Sequence, residues 1–106
     1  MTVLTHAVLA DAIKAIPGDE YEPKSYSGRG MYGRRCVSVA ADGSAFSILG
    51  EIVRSLGALD LSGQETADLA AEIIHGAKAD QMGLGVVVYW PDVVWKESDA
   101  TADAEE

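Results

Sequence analysis

The run Val86-Val87-Val88-Tyr89-Trp90 sets five β-prone residues in succession with no polar break. A half-buried strand alternates apolar and polar positions. An unbroken run instead predicts a strand covered on both faces, or on one face with an aromatic surface on the other. A chain holding such a strand must supply neighbouring strands and something to cover them. Gly83-Leu84-Gly85 leads into the run and Pro91-Asp92 turns the chain after it, so Val93-Val94-Trp95 reads as a short edge strand.

The covering elements are amphipathic helices. Residues 2–16 carry Leu9, Ala12, Ile13 and Ile16 on one face, with Thr2 placed to cap the start and Pro17-Gly18 to end it. A second helix is predicted over 44–56, from Phe46, Leu49, Ile52, Val53 and Leu56 at helical spacing, with Gly57 as a left-handed stop. A third starts at Ser62-Gly63-Gln64-Glu65, the spacing at which Ser and Glu satisfy each other's backbone donors, and runs to about residue 78.

Between the first two helices lies a different kind of segment. Residues 19–35 hold three glycines and Pro23 and read as a loop or irregular hairpin, with 24–27 pairing 31–34 across Gly28-Arg29-Gly30. Arg35-Cys36-Val37-Ser38-Val39-Ala40 then reads as a strand with Val37 and Val39 on one face, closed by Asp42-Gly43. The order α–β(β)–α–α–β predicts an α+β fold: a small antiparallel or mixed sheet of three to four strands with three helices packed on one side. The long βαβ series of a doubly wound sheet is missing, and no internal repeat is visible.

A length of 106 residues with 48% hydrophobic content suits one modest core, assigned to residues 1–96. A domain this small buries only roughly 60–65% of the surface its unfolded chain exposes. Its margin of stability is thin, which leaves room for a partner or a second copy in a homodimer. Residues 97–106 are small and acidic without an apolar anchor and are expected to be a disordered tail.

The net charge of −9 is partly a property of that tail, where Glu97, Asp99, Asp103, Glu105 and Glu106 meet no base. Over residues 1–96 there are 12 acids against 8 bases, a balance of −4. Such a balance argues against non-specific DNA binding, which needs a positive face. No apolar run approaches the roughly 18–20 residues that span a bilayer, and Met1-Thr2-Val3-Leu4-Thr5-His6 lacks the features of a secretory signal. One cysteine, Cys36, forms no internal disulfide, so a cytoplasmic setting is the expectation.

Chemistry-bearing residues concentrate in the glycine-broken segment. Lys24, Arg29, Arg34 and Arg35 are half of all the bases, gathered within 12 residues and interleaved with Tyr21, Tyr26 and Tyr32. Arginine forks grip phosphate or carboxylate, and tyrosines stack on bases or fill partner pockets. The plainer reading has these bases balancing Asp19, Glu20 and Glu22 in a solvated hairpin. Gly28-Arg29-Gly30-Met31-Tyr32-Gly33 matches G-x-G-x-x-G, but dinucleotide binding needs a strand before the motif and a helix straight after it. Here a strand follows.

Elsewhere the signals are weaker. Glu65, Asp68 and Glu72 form an acidic stripe on the third helix, and Glu72 and His75 share the Glu-x-x-His spacing of di-iron bundles. One such motif, with His6 the chain's other histidine, falls short of a metal site, so no metal and no cofactor are expected. Arg34 and Arg35 would lower the Cys36 pKa if the thiol were exposed; at the start of an apolar strand it reads instead as a small core residue. Trp90 or Trp95 would be an interface anchor if exposed; the ordinary alternative is that both cap the core beside the sheet, the preferred reading for Trp90.

The segment Ser25-Tyr26-Ser27-Gly28-Arg29-Gly30-Met31-Tyr32-Gly33-Arg34-Arg35-Cys36 resembles stretches of small phage-encoded accessory proteins of unassigned function. That resemblance covers about a tenth of the chain and carries no catalytic motif. It implies a compact protein that binds a host or defence component, such as an inhibitor of a nuclease complex. The basic loop departs from the continuous acidic surface by which some proteins of that kind imitate nucleic acid.

Two functions are therefore weighed. The first is a small non-enzymatic binding protein, an inhibitor or modulator of a protein complex, acting through Lys24, Tyr26, Arg29, Tyr32, Arg34 and Arg35, through the acidic face of Glu65, Asp68 and Glu72, or through both. The second is a nucleotide or phosphate-ligand binder gripping phosphates with Arg29, Arg34 and Arg35. An enzyme ranks below both, because no acid–base or nucleophile constellation emerges.

Overall fold

The computed structural model describes residues 3–18, 21–28 and 30–96. Thr2, Asp19, Glu20, Arg29 and the acidic tail expected over 97–106 lie outside the described residues, as do the roles foreseen for them. The chain runs α1 (His6–Lys14), β1 (Lys24–Tyr26), β2 (Cys36–Asp42), α2 (Ala45–Ser55), a 3-10 turn (Leu56–Ala58), α3 (Gly63–Gly76), β3 (Lys78–Met82) and β4 (Gly85–Val94). The four strands form one open sheet in the order β1-β2-β4-β3, and every neighbouring pair is antiparallel. The fold is α+β.

The three helices pack on one face of this sheet. Val37 and Val39 of β2 and Val88 and Trp90 of β4 meet Leu9 and Ile13 of α1, Ile48 and Ile52 of α2, and Leu69 and Ile73 of α3. Trp90 also needs a partner for its indole N–H, and donates to the Ile73 carbonyl at 2.9 Å. Ser55 donates to the Ala12 carbonyl and so joins α2 to α1 inside the core.

Local sequence explains each helix start. Thr5 accepts from Val8 N–H and begins α1, and Ser44 does the same for Ser47 N–H at α2. At α3, Ser62 and Glu65 form both halves of the capping box. Each cap stabilises by about 1 kcal/mol.

Five expectations need correction. The buried stripe of α2 is Ile48, Ile52 and Ser55, so Phe46 lies about half a turn away and is 87% exposed. Gly57 is no left-handed stop: α2 passes directly into the 3-10 turn, and Gly57 is not among the positive-φ residues. Residues 24–26 do not pair with 31–34 but with β2, in the register Lys24↔Ser38 and Tyr26↔Cys36. β3 starts where the third helix was expected to end. Val93 and Val94 belong to β4 rather than to a separate edge strand, because the ladder slips from Val37↔Trp90 to Cys36↔Val94 and absorbs Pro91, Asp92 and Val93 as an irregularity.

Candidate functional site

Directly paired residues share a sheet face, so Tyr26, Cys36, Ser38, Tyr89, Lys78 and Asp80 all lie on the face opposite the helices. There a second, smaller cluster forms from Met31, Cys36 and Tyr89, with Tyr26 packed against it. The aromatic surface that a doubly covered β4 requires is therefore Tyr26, whose ring centre lies 4.9 Å from that of Tyr89.

Met31 brings the 27–35 connection down onto this cluster. It is 2% exposed, and its sulfur lies 3.2 Å from the Gly28 N–H and 3.9 Å from the Cys36 sulfur. The backbone closes around it through Met31 N–H to the Gly28 carbonyl and Arg34 N–H to the Met31 carbonyl. Gly28 permits the close approach, since a Cβ there would stand 2.5 Å from the Tyr89 ring. Gly30 at φ 84° and Gly33 at φ 89° supply the left-handed turns on either side.

Tyr32 follows Met31 with the opposite fate. It takes φ 54°, the one positive φ outside glycine among the described residues, and is 95% exposed. A left-handed non-glycine residue costs about 1–2 kcal/mol. Nothing in the packing of the ring offsets that cost.

The other proposed residues divide. Arg34 is exposed, with its Nε donating to the Met31 carbonyl at 3.3 Å. Arg35 is exposed, and its carbonyl accepts from Trp95 N–H, which ties the loop's end to the end of β4. Lys24 forms a solvent-exposed ion pair with Glu22 at 3.6 Å. Tyr26 turns inward, and its hydroxyl donates to Asp80 on β3 at 2.6 Å. That hydrogen bond, then burial and the Asp80 charge, push the Tyr26 phenol up to about 12. Burial pushes the Cys36 thiol up as well, against a backbone hydrogen bond from Trp90 and the nearby Arg34 charge. The thiol is buried, not activated.

The G-x-G-x-x-G match spans this loop and is followed by β2, not by a helix. On α3, Glu65 is engaged in the capping box, Asp68 accepts from Gln64 at 2.9 Å, and Glu72 and His75 are exposed. Among the described residues no three His, Cys, Asp or Glu side chains come together that could hold a metal ion, and no helix is long and apolar enough to cross a membrane.

The loop thus gathers Tyr32, Arg34 and Arg35 and sets Tyr26 and Lys24 apart from them. Sequence reasoning passed over Met31, Asp80 and the Gly28–Tyr89 contact. A lone apolar residue between two glycines in a polar loop was the visible sign of the first. Asp80 carried no sign, because its role depends on a pairing across the sheet. Comparison with family models, characterised proteins and solved structures found no match.

Proposed function

We propose that this chain is a non-enzymatic protein-binding module, of the accessory or modulator kind that the Ser25–Cys36 segment resembles, and that it binds through the tip of the 27–35 loop. One observation carries the reading. Met31 is buried and its neighbour Tyr32 is held in a costly backbone conformation with its ring in solvent. The turn closed by Arg34 N–H on the Met31 carbonyl requires that conformation, but an exposed tyrosine where glycine would sit without strain is a mark of a working surface.

The arrangement suits recognition of an acidic protein surface. An exposed tyrosine offers a large contact area and has few rotamers to lose on binding, and the neighbouring Arg34 guanidinium suits a carboxylate. Anchoring by Met31 orders the tip beforehand, which lowers the entropy lost on association.

The phosphate-ligand reading shares Arg34 and Arg35, and a single comparison separates the two. Arg34→Ala and Arg35→Ala chains are assayed by thermal shift with nucleotides and by protein capture. Protein binding that weakens in both variants, with no nucleotide stabilisation of the wild type, supports the proposal. Nucleotide stabilisation of the wild type that vanishes in the variants would transfer the site to a phosphate ligand.

A further inference from the structure

β3 ends the sheet: it pairs with β4 along one side, and no described residue pairs along the other. Its hairpin turn has two residues, Gly83 and Leu84, between the partners Met82 and Gly85. A turn of this kind makes Met82 and Gly85 a hydrogen-bonded pair, so Met82, Asp80 and Lys78 bond toward β4. By alternation Ala77, Ala79 and Gln81 turn their N–H and C=O groups outward. Ala77 is already extended, at φ −78° and ψ 143°, and can lengthen the ladder.

We infer that this edge is a self-association surface, on which β3 of a second copy pairs antiparallel about a two-fold axis at Ala79. The charges select that occupant and that register. Centred on Ala79, Lys78 of each copy lies opposite Asp80 of the other, twice by symmetry, at the closely spaced non-hydrogen-bonded positions, where Asp80 keeps the Tyr26 hydroxyl on Oδ2 and offers Oδ1 to the lysine. Centring on Lys78 or on Asp80 sets like charges opposite each other, and centring on Gln81 pairs neither. Ala79 meets Ala79 at the axis with no steric obstacle.

The helix side of the same edge is open and more apolar than polar among the described residues. A cleft of about 430 Å3 runs between the start of α2 and β3, lined by Ala45, Phe46, Ala79, Gln81 and Val86 among others. Phe46, displaced from the core stripe of α2, stands at this cleft. Pairing about Ala79 brings two such clefts to either side of the axis, each with an exposed Phe46 at its wall. The loop tip is not involved, so this interface is independent of the protein-binding function.

Sedimentation velocity over a concentration series tests it. The wild type is expected to shift from monomer to dimer as concentration rises. Lys78→Asp and Asp80→Lys, each placing like charges opposite, weaken self-association about tenfold or more. Mixing these two variants restores opposite charges at both pairs and yields a heterodimer. Ala79→Pro removes outward N–H donors without touching the ladder to β4, and stays folded by circular dichroism while losing the dimer. A wild type that remains monomeric throughout overturns the inference and leaves the edge to a strand of another protein. A folded Ala79→Pro chain that dimerises like the wild type overturns it equally.

Discussion

Gly28 rests on the ring of Tyr89 so closely that a Cβ would stand 2.5 Å from its Cε2 and Cζ atoms. Through this contact Gly28 sits against the sheet, with Met31 buried beside Tyr89 and Tyr32 in solvent. Gly28→Ala is expected to destabilise the fold by about 1–3 kcal/mol, a fall of several degrees in melting temperature. The cost should shrink when Tyr89 is first replaced by leucine. Simple additivity of the two changes would show that the clash is not the cause.

The bond from Tyr26 to Asp80 has a pH signature. An unfolded tyrosine ionises near 10.0, whereas in the fold the Tyr26 pKa is raised to about 12. Its contribution is therefore full below about pH 10 and is lost between about 10 and 12, where the unfolded chain gives up the proton first. Tyr26→Phe should cost about 1 kcal/mol at neutral pH. Denaturant titrations should show the variant losing less stability than wild type across that alkaline window.

Met31 is the loop's anchor and is truncated readily. Met31→Ala should lower unfolding free energy by about 2 kcal/mol or more through the cavity left beside Cys36 and Tyr89. Met31→Leu, close in volume, should cost less than about 1.5 kcal/mol. Hydrogen exchange over residues 27–35 should quicken in the alanine variant and not in the leucine variant.

Cys36 is buried and its thiol is raised above the ordinary 9.0. An aromatic disulfide reagent should therefore label the native chain far more slowly than the denaturant-unfolded chain. Met31→Ala should narrow that gap, because Met31 lies against the sulfur. Rapid labelling of the native wild type would contradict a closed loop.

What the residues revealed beforehand follows from the range of the forces involved. The helices and the strands β2 and β4 were legible because caps and hydrophobic spacing act within a few residues. Ser62 and Glu65 declare a helix start to any reader of four positions. β3 was not legible: Lys78-Ala79-Asp80-Gln81-Met82 has no β-branched residue and becomes a strand through its hairpin with β4. Phe46 misled for a related reason, since helical spacing permits more than one apolar stripe and the sheet beneath chooses Ile48 and Ile52.

The candidate site was half legible. Arginines and tyrosines between glycines marked the segment as chemically conspicuous. Their separation into an inward Tyr26 and an outward Tyr32 rests on long-range contacts with Tyr89 and Asp80, which spacing along the chain does not encode.

Tyr32→Gly tests the binding claim most directly, because it separates strain from function. Glycine takes φ 54° without penalty, so the melting temperature should not fall, while proteins captured by the immobilised wild type should be lost. Undiminished capture by a folded Tyr32→Gly chain would contradict the account.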